Sequence, residues 1–363
     1  MVPQPMEKKE KNNMTHAYPK VSVVILNWNG QYFLEKFLPS VYNSTYPNIE
    51  FVLGDNGSTD NSIAFVQANF PHITILRNEI NYGFAGGYNR VLEQVHADYY
   101  ILLNSDVEVT PSWIEPMIKS MERDGYVAMQ PKIKSFHQKT HFEHAGAAGG
   151  FIDALGYPFC RGRLFHICEE DYGQYDQNSE IFWASGAALC IRADTWQKVG
   201  GFDEDFFAHM EEIDLCWRLK KMGYKIGYTY ESVVYHVGGG TLNTSNPKKT
   251  YLNFRNNLVM LQKNLPFFTA VWVIFCRFWL DFAAVIQFVA KGKRKDAWAI
   301  SRAHQYFFKH IFNNASKRIK NNNQENKTGI YKGYIVWDFF MNKIQKYSAL
   351  DQDKFKWEKK MEK

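Results

Sequence analysis

The chain has 363 residues, of which 45% are hydrophobic and 16% aromatic, and its formal net charge is +6 at pH 7. This composition excludes a wholly disordered chain, and the length allows a domain of ordinary enzyme size with an extension. Much of the positive surplus follows residue 290, in "KGKRKDAW" and "KWEKKMEK", which predicts an acidic partner for that end, either a membrane surface or a nucleic acid.

The five cysteines are irregularly spaced and include no CxxC pair. This pattern supports neither a zinc knuckle nor a disulfide framework, so we expect reduced thiols in the cytosol. The N-terminal segment is polar and lacks the apolar core of a secretory signal, and residues 1–19 are therefore predicted to be a flexible leader.

Short apolar, β-branched runs alternate with helix-sized segments from residue 21 onward. Such alternation predicts stacked βα units and a mostly parallel sheet flanked by helices, an α/β fold. The four predicted strands are "VSVVILNW", "IEFVLGD", "ITILRN" and "YYILLNSD".

Polar side chains follow each of these predicted strands. Ligands of parallel α/β sheets bind outside the carboxyl ends of the strands, so this edge is predicted to form a site. The side chains concerned are Asn27, Asn29, Asp55, Asn78, Asn81, Asn104 and Asp106.

Two of these strand ends allow a structural and a functional interpretation. "LGDNGSTDNS" is either a simple strand-to-helix turn or a turn in which Asp55 holds a ligand's base or ribose. "NYGFAGGYN", with Asn81 and Gly83, either exposes backbone N–H groups to an anion or lets a helix pack close to the sheet. The absence of a GxGxxG or Walker pattern disfavours a dinucleotide or P-loop site.

The third strand end, "ILLNSDVEV", brings oxygen ligands together. Asn104 and Asp106 directly follow an apolar run, and grouped carboxylate and amide oxygens suit Mg²⁺ or Mn²⁺. The alternative is an Asx turn that ends the strand, and the polar ends of the neighbouring strands favour the metal.

The ordered blocks of the chain, taken together, resemble the family-two glycosyltransferases, in particular a bacterial branch described as rhamnosyltransferase-like. The resemblance covers roughly residues 20 to 260 and implies a GT-A fold, Rossmann-like with a C-terminal helical extension, and inverting transfer from a nucleotide-sugar. It also implies that Asp55 contacts the nucleotide and that Asp106 ends a DXD-type metal motif, in which Asn104 stands where many relatives have Asp. The blocks are "VSVVILNWNG", "DNGSTDNS", "NYGFAGG", "LLNSDV", "ASGAALCIRADTWQKVGGFDEDFFAHMEEIDLCWRLKKMGY" and "HVGGGT".

Three carboxylates lie close together in "FAHMEEIDLCWR". Inverting transfer needs a base that takes the proton of the attacking hydroxyl, and the family places it in a Glu-Asp pair that opens a helix. Here the pair is Glu211 and Glu212; we assign Glu212 as the base and Glu211 to acceptor binding, although either residue fits the role. Asp214 is expected to pair with Arg218 four residues later. The alternative for the whole cluster is a solvated helix start that complements the helix dipole.

Further roles follow from the resemblance. His236 would complete the metal site, the alternative being a hydrogen-bonded histidine that follows a strand. Residues 238–241, "GGGT", would wrap the diphosphate through backbone N–H groups. Trp183 is either a stacking platform for a sugar of the acceptor or a core residue. Arg255 would meet phosphate oxygens of the nucleotide-sugar.

Residues 266–290 form the most apolar stretch and are long enough to span a bilayer. Arg277 and Asp281 near its middle would each cost about 2.5–3.5 kcal/mol on insertion, so a helix that docks on a membrane surface is favoured, with "KGKRK" on the headgroups. An ordinary buried helix pair is the alternative. We therefore expect membrane contact through residues 266–295.

The predicted organisation has four parts. They are a leader (1–19), a catalytic domain (20–260) with a nucleotide-sugar half (about 20–110) and an acceptor half (about 111–260), an apolar and basic helical extension (261–312), and a polar linker with a terminal amphipathic helix (313–363).

The sequence therefore predicts a metal-dependent inverting glycosyltransferase on the inner face of the cytoplasmic membrane. It would move a sugar from a UDP- or dTDP-sugar to a glycan or lipid-linked acceptor in cell-surface polysaccharide synthesis, with Mg²⁺ or Mn²⁺ and without nucleic acid. Two alternatives remain: an inactive relative that serves as an assembly partner, and a glycoside hydrolase, which also needs two carboxylates.

Overall fold

The computed structural model describes residues 18–238, 246–318 and 325–357. Its N-terminal part alternates strands and helices, as predicted. The strands are buried and rich in β-branched residues, which suits a parallel sheet covered on both faces. The elements are β1 (Val21–Asn27), α1 (Gln31–Tyr42), β2 (Ile49–Asn56), α2 (Ser62–Asn69), β3 (Thr74–Asn78), α3 (Gly83–Leu92) and β4 (Tyr99–Asn104).

These four strands are parallel and lie in the order β4-β1-β2-β3. Their register brings the polar ends to one level: Asn27 lies opposite Asp55, and Leu26 lies opposite Asn104. Neighbouring strands are about 4.8 Å apart, so Asp55 and Asn104 are about 10 Å apart across the end of β1. The predicted polar edge therefore exists.

The middle of the chain extends this sheet and adds a second one. The elements are β5 (Val107–Val109), α4 (Ile114–Asp124), β6 (Tyr126–Ser135), β7 (Gly150–Asp153), β8 (Pro158–Cys160), β9 (Arg163–Leu164), β10 (Ile167–Cys168), β11 (Ser179–Ile181), β12 (Ala188–Arg192), α5 (Ala193–Val199), α6 (Glu211–Lys221) and β13 (Lys225–His236).

The central sheet has nine strands in the order β11-β13-β6-β12-β4-β1-β2-β3, with β5 paired to β13. Strand β12 runs antiparallel between β4 and β6, so the sheet is parallel in its N-terminal half and mixed beyond it. The pairing of β5 with β13 carries His236 to the position opposite Val107, directly after Asp106.

The C-terminal part is helical. Its elements are α7 (Pro247–Asn264), α8 (Phe267–Ala290), α9 (Arg294–Lys309), α10 (Ile311–Ser316), β14 (Ile330–Tyr331) and α11 (Ile335–Phe340). The segment "YLNFRNNLVMLQKN" forms the body of α7, and the predicted domain boundary at residue 260 falls inside this helix.

The prediction for residues 313–363 is wrong for the described part. Strand β14 pairs with β7 and completes a second, five-stranded sheet in the order β10-β9-β8-β7-β14. Tyr347 and Phe355 pack their rings on Phe151 of that sheet. The terminal segment is therefore part of the core rather than a linker with a separate amphipathic helix, and α11 is only six residues long.

Candidate active site

The turn after β2 is shaped by the end of β1. The side-chain amide of Asn27 donates to the hydroxyls of Ser58, at 3.1 Å, and Ser62, at 2.9 Å. Asn29 adopts a left-handed backbone (φ 50°), and its Oδ1 accepts the N–H of Thr59 at 2.7 Å. Both asparagines therefore support the turn that follows Asp55.

Asp55 is buried at the end of β2, and its Oδ1 accepts the N–H of Ser58 at 3.3 Å. No cation pairs with it among the described residues. The carboxylate lies next to Asn27 at the polar edge, where it is available to a ligand that donates hydrogen bonds.

The start of α3 packs against a loop rather than facing an open site. Asn81 Oδ1, just before the helix, accepts the N–H of Gly83 at 2.8 Å, and the N–H groups of Phe84 and Ala85 both donate to the carbonyl of Phe207, at 2.7 and 3.2 Å. Gly83 has φ +76°, and a Cβ there would lie 2.5 Å from that carbonyl oxygen. Of the two interpretations of this motif, close packing is observed, because the helix-start amides are already used.

Asp106 and His236 meet at the other end of the polar edge. The distance between Asp106 Oδ1 and His236 Nε2 is 3.2 Å, and the amide nitrogen of Asn104 is 3.4 Å from the same ring nitrogen. The other ring nitrogen, Nδ1, is 3.1 Å from Oε2 of Glu143. The structure thus brings the two predicted metal ligands together and adds a carboxylate behind the imidazole.

Two carboxylates govern the charge of this imidazole. Burial lowers the pKa of His236, but Asp106 and Glu143 outweigh burial and raise it to about 10. Without a cation, His236 is therefore an imidazolium held between two carboxylates. Glu143 was not predicted; the only sequence signal was an acidic residue inside the glycine-rich stretch "HFEHAGAAGG".

The donor set fits a hard divalent cation. An oxygen and a nitrogen bound at about 2.1 Å and at right angles on one cation are about 3.0 Å apart, close to the Asp106–His236 distance. Metal-bound histidines commonly donate their second N–H to a carboxylate, as His236 would to Glu143. In the described part of the chain no three His, Cys, Asp or Glu side chains form a metal cluster, so substrate and water would supply the remaining ligands.

The loop before α6 is strained. Phe207, His209 and Met210 all have positive φ values, of 62°, 70° and 71°. Left-handed backbone in non-glycine residues costs of order 1–3 kcal/mol each and persists only when surrounding contacts enforce it. We call residues 206–210 the α6 entry loop.

Two side chains of α7 hold the α6 entry loop. Arg255 Nη2 donates to the carbonyls of Asp205 and Phe206, at 2.7 and 2.8 Å. The amide of Asn256 lies 3.0 Å from the carbonyl of Phe206, 2.9 Å from that of Ala208 and 2.6 Å from that of His209. The predicted phosphate contact of Arg255 is not what the structure shows, because its guanidinium is buried against these carbonyls.

Glu211 and Glu212 open α6 directly after this loop. Glu211 is 4% exposed, and within the described part of the chain the buried Oε2 atom of each glutamate has no hydrogen-bond partner. Burial, together with the charge of Glu212, raises the pKa of Glu211 well above its usual value. Burial also raises the pKa of Glu212, to about 7. This is not a solvated helix start.

The third carboxylate of the cluster has a different environment. Asp214 Oδ2 accepts from Arg218 Nε at 2.8 Å, which confirms the predicted ion pair, and from Lys263 Nζ at 3.0 Å. Burial would raise the pKa of Asp214, but these two cations lower it. Asp214 is therefore a structural anion between α6 and α7.

The remaining predicted residues are not brought to the site. Trp183 is 4% exposed, and its indole N–H donates to the carbonyl of Phe151 at 2.9 Å. A Cβ on Gly150 would lie 2.2 Å from the same indole ring, so the tryptophan is packed flush against β7 and is a core residue. The predicted diphosphate loop, residues 238–241, lies outside the described residues except for Gly238.

A short segment connects the glutamates with the metal pair. The carbonyl of Ala187 accepts the N–H of Asn104 at 3.0 Å. On the preceding residue, Gly186, a Cβ would lie 3.8 Å from the Cβ of Glu212. Asn104, Asp106, His236 and Glu212 therefore line one region at the carboxyl end of the sheet.

Comparisons with known proteins bear on the class of enzyme and on the fold. The family model "Glycosyl transferase family 2" matches residues 22–186. The chain is 28% identical over 239 residues to the N-acetylglucosaminyl-diphospho-decaprenol L-rhamnosyltransferase of Mycobacterium tuberculosis, an alignment that covers 61% of this chain and 76% of that protein.

Solved structures share the fold at low identity. S. aureus TarS 1-349 in complex with UDP-GlcNAc superposes with a TM-score of 0.55 at 15% identity, covering 82% of this chain and 84% of that one. The mannosyltransferase PcManGT from Pyrobaculum calidifontis, in complex with GDP-Man and Mn²⁺, gives 0.50 at 14% identity, covering 82% and 76%.

The sheet with its polar edge, the family match and the structural neighbours lead to one conclusion. Residues 22–186 match the family 2 glycosyltransferase model, and the chain is a glycosyltransferase with the GT-A fold.

Proposed function

We propose that this enzyme transfers a sugar from a nucleoside-diphosphate donor to an acceptor hydroxyl with inversion at the anomeric carbon. The observation that carries the proposal is the pair of glutamates at the start of α6, Glu211 buried and Glu212 half-buried, whose buried Oε2 atoms have no hydrogen-bond partner among the described residues. Unpartnered buried carboxylates are costly in a fold, and such costs are typical of groups that a reaction uses.

Glu212 is the proposed base. The acceptor oxygen forms a bond to the anomeric carbon, its proton goes to Glu212, and the bond to the diphosphate breaks with its electron pair on the leaving group. With a pKa of about 7, Glu212 is half ionised at neutral pH and can take the proton. Burial and the charge of Glu212 raise the pKa of Glu211 well above its usual value, and in its protonated form Glu211 would donate a hydrogen bond to the acceptor.

Asp106 and His236 are the proposed ligands of Mg²⁺ or Mn²⁺, with Glu143 orienting the imidazole. A divalent cation there would neutralise the charge that develops on the departing diphosphate. Loss of the proton from His236 would accompany its binding, because only the neutral imidazole is a ligand. The Mn²⁺ named with PcManGT supports this assignment.

Asp55 is proposed to bind the nucleoside. It lies beside Asn27 on the adjacent strand, and the supporting turn is fixed by Asn27 and Asn29. A carboxylate at this place accepts hydrogen bonds from a base N–H or a ribose hydroxyl. A UDP- or dTDP-sugar is the proposed donor class.

The acceptor is proposed to be a lipid-linked diphosphate sugar or a growing glycan, in the synthesis of a cell-surface polysaccharide. The name of the mycobacterial relative, which specifies a diphospho-decaprenol acceptor, supports this class. The enzyme would then work on the inner face of the cytoplasmic membrane, where such acceptors are exposed to cytosolic nucleotide-sugars.

A screen of nucleotide-sugars for hydrolysis and transfer, with Mn²⁺ and Mg²⁺, tests the proposal. We expect one UDP- or dTDP-sugar to be turned over with a divalent cation and to be stable with Glu212→Gln. A glycoside hydrolase would show no affinity for UDP or dTDP. An inactive assembly partner would turn over no donor, and either result would overturn the proposal.

A further inference from the structure

One face of α8 carries large apolar side chains that are exposed. They recur at alternating intervals of four and three residues, which places them on one side of the helix. The helix has 24 residues and is about 36 Å long, so the stripe runs along its whole length. We call these side chains the α8 stripe; they are between 50% and 85% exposed and are Phe268, Trp272, Phe275, Trp279, Phe282, Ile286 and Val289.

The opposite face of α8 is fixed to the protein by its charged residues. The guanidinium of Arg277 lies 3.6 Å from the ring centroid of Tyr157 and 3.7 Å from Asp281. Asp281 is also 3.0 Å from His304 Nε2 on α9. Both charged residues of the apolar stretch are therefore buried inside the protein.

These contacts argue against a helix that crosses the membrane, although α8 is long and apolar enough to do so. A crossing α8 would leave Tyr157 and His304 or carry α9 into the hydrocarbon with it. Helix α9 contains five basic or acidic residues that would be costly there: Arg294, Lys295, Asp296, Arg302 and Lys309. If α8 keeps its inner face on the protein and exposes the stripe, it retains the contacts with Tyr157 and His304 and leaves the charged residues of α9 outside the hydrocarbon.

A basic cluster follows the stripe immediately. Lys291, Lys293, Arg294 and Lys295 are all exposed, at the C-terminal end of α8 and the start of α9. Lysine and arginine side chains beside an apolar helix face are attracted to anionic headgroups, and each one near the surface adds to the free energy of membrane binding.

We propose that α8 lies in the plane of an anionic lipid bilayer, with the α8 stripe in the interfacial layer and the basic cluster on the headgroups. This inference deepens the proposed function, because docking on the bilayer would bring a lipid-linked acceptor to the active site. Only the identity of that acceptor rests on the proposed function. The bilayer contact itself is argued from the helix alone.

The composition of the stripe favours lipid over a second copy of the chain. Its spacing is that of a coiled-coil seam, but such seams are built from Ile, Val and Leu, which interlock between helices. Five of the seven stripe residues are Phe or Trp. Aromatic side chains, and Trp above all, are enriched where protein meets the membrane interface.

Co-sedimentation of the full-length protein with vesicles tests the docking. We expect binding to vesicles of phosphatidylcholine with 30% phosphatidylglycerol, and a fall of about tenfold or more in partitioning for Trp272→Ser/Trp279→Ser. Tyr172→Ser is the matched control, because Tyr172 is an equally exposed aromatic residue outside α8. Lys291→Glu/Lys293→Glu should weaken binding to these vesicles and lose the difference between anionic and neutral ones.

Quenching by brominated lipids tests the orientation. Trp272 and Trp279 are about 10 Å apart along the helix axis, so a crossing helix would place them at different depths. An in-plane helix places them at the same depth. The signals are isolated as the difference between wild type and Trp272→Phe or Trp279→Phe, and unequal depths would overturn the in-plane arrangement.

The outcomes separate the docking from the proposed reaction. Donor hydrolysis in detergent should be unchanged in Trp272→Ser/Trp279→Ser, and vesicle binding should be unchanged in Glu212→Gln. The docking is wrong if wild type does not sediment with vesicles or if the double variant binds as wild type does. It is also wrong if wild type is a dimer without lipid that the double variant dissociates, since the second copy then covers the stripe.

Discussion

The turn after β2 and the start of α6 both present acidic residues at the carboxyl end of the sheet, but their hydrogen bonding differs. In the turn, Asp60 accepts from the N–H of Gln31 at 3.0 Å and from the N–H of Ser62 at 3.1 Å, and Asn29 accepts from Thr59. At the start of α6, Glu211 and Glu212 each have a buried oxygen that no described residue hydrogen-bonds.

This difference indicates that the two regions have different roles, ligand binding in the turn after β2 and proton transfer at the start of α6. Polar groups that are satisfied within the protein form a preorganised surface, which suits binding of a nucleotide at little cost. Carboxylates that are buried and unsatisfied have raised pKa values, which suits proton transfer at neutral pH. Binding and chemistry are therefore expected to respond to different substitutions, and the following experiments test that separation.

The largest expected effect is on turnover in Glu212→Gln. The amide cannot take the proton, so kcat should fall by a factor of about 10²–10⁴. Isothermal titration of the donor with Mn²⁺ should give an unchanged Kd, because the turn after β2 is untouched. Glu93→Gln, at an exposed glutamate beyond α3, is the control and should keep wild-type kcat. Normal turnover in Glu212→Gln would assign the base elsewhere.

The second-largest expected effect is on Mn²⁺-dependent binding of the donor in Asp106→Ala. Removing one of two protein ligands should weaken Mn²⁺-dependent donor binding by about 10–100-fold. The same titration without metal should show little difference from wild type. Asp194→Ala removes a carboxylate that pairs with Lys198 on the surface, and it should bind as wild type does. Equal Mn²⁺ dependence in the two variants would exclude Asp106 as a ligand.

A smaller effect is expected when the α6 entry loop is released by Asn256→Ala. Without its amide the left-handed residues relax, and misplacement of Glu212 should lower kcat about tenfold with little change in the donor Kd. Asn257→Ala is matched to it, since Asn257 is the next residue, equally buried, and bonded to Gly156 instead. That control should lose thermal stability without the loss in kcat, and equal kcat losses would count against a positioning role.

The smallest effect is on stability, in Glu211→Gln. The pKa of the Glu211 carboxyl is raised in the folded state. Below its pKa in the unfolded state the carboxyl is protonated in both states and costs no stability, and as the pH rises above that pKa its ionisation destabilises the fold. The substitution should therefore raise Tm by about 2–4 °C at pH 8 and leave it nearly unchanged at pH 4. Scanning calorimetry at both pH values measures this, and a lower Tm at pH 8 would show that the carboxylate is stabilised in the fold.

The parts of the fold and site that depend on short stretches of sequence could be predicted. The β-branched runs predicted four strands, and the polar residues after them predicted the edge with Asp55 and Asp106. Sequence reasoning missed contacts made across long separations: Glu143 behind His236, 93 residues away, and Asn256 on the α6 entry loop. The sequence could not decide between the two interpretations of Trp183, and it did not show that Arg255 is buried against backbone carbonyls, because exposure depends on packing by distant segments.

The C-terminal segment shows the same limit. The segment "GYIVWDFFMNKIQKY" was predicted to be a terminal amphipathic helix, but Tyr347 and Phe355 pack against Phe151 of the second sheet. That sheet was not predicted, because its strands are two to four residues long and carry no clear period of their own.

The pH dependence of kcat/KM tests the central claim, that Glu212 takes the proton, most directly. Since the base must be ionised, kcat/KM should rise with pH, with unit slope below a pKa of about 7, and level off above it. Glu212→Gln should show low activity without this limb. A limb near pH 4.5 in wild type, or an unchanged limb near pH 7 in Glu212→Gln, would contradict the assignment.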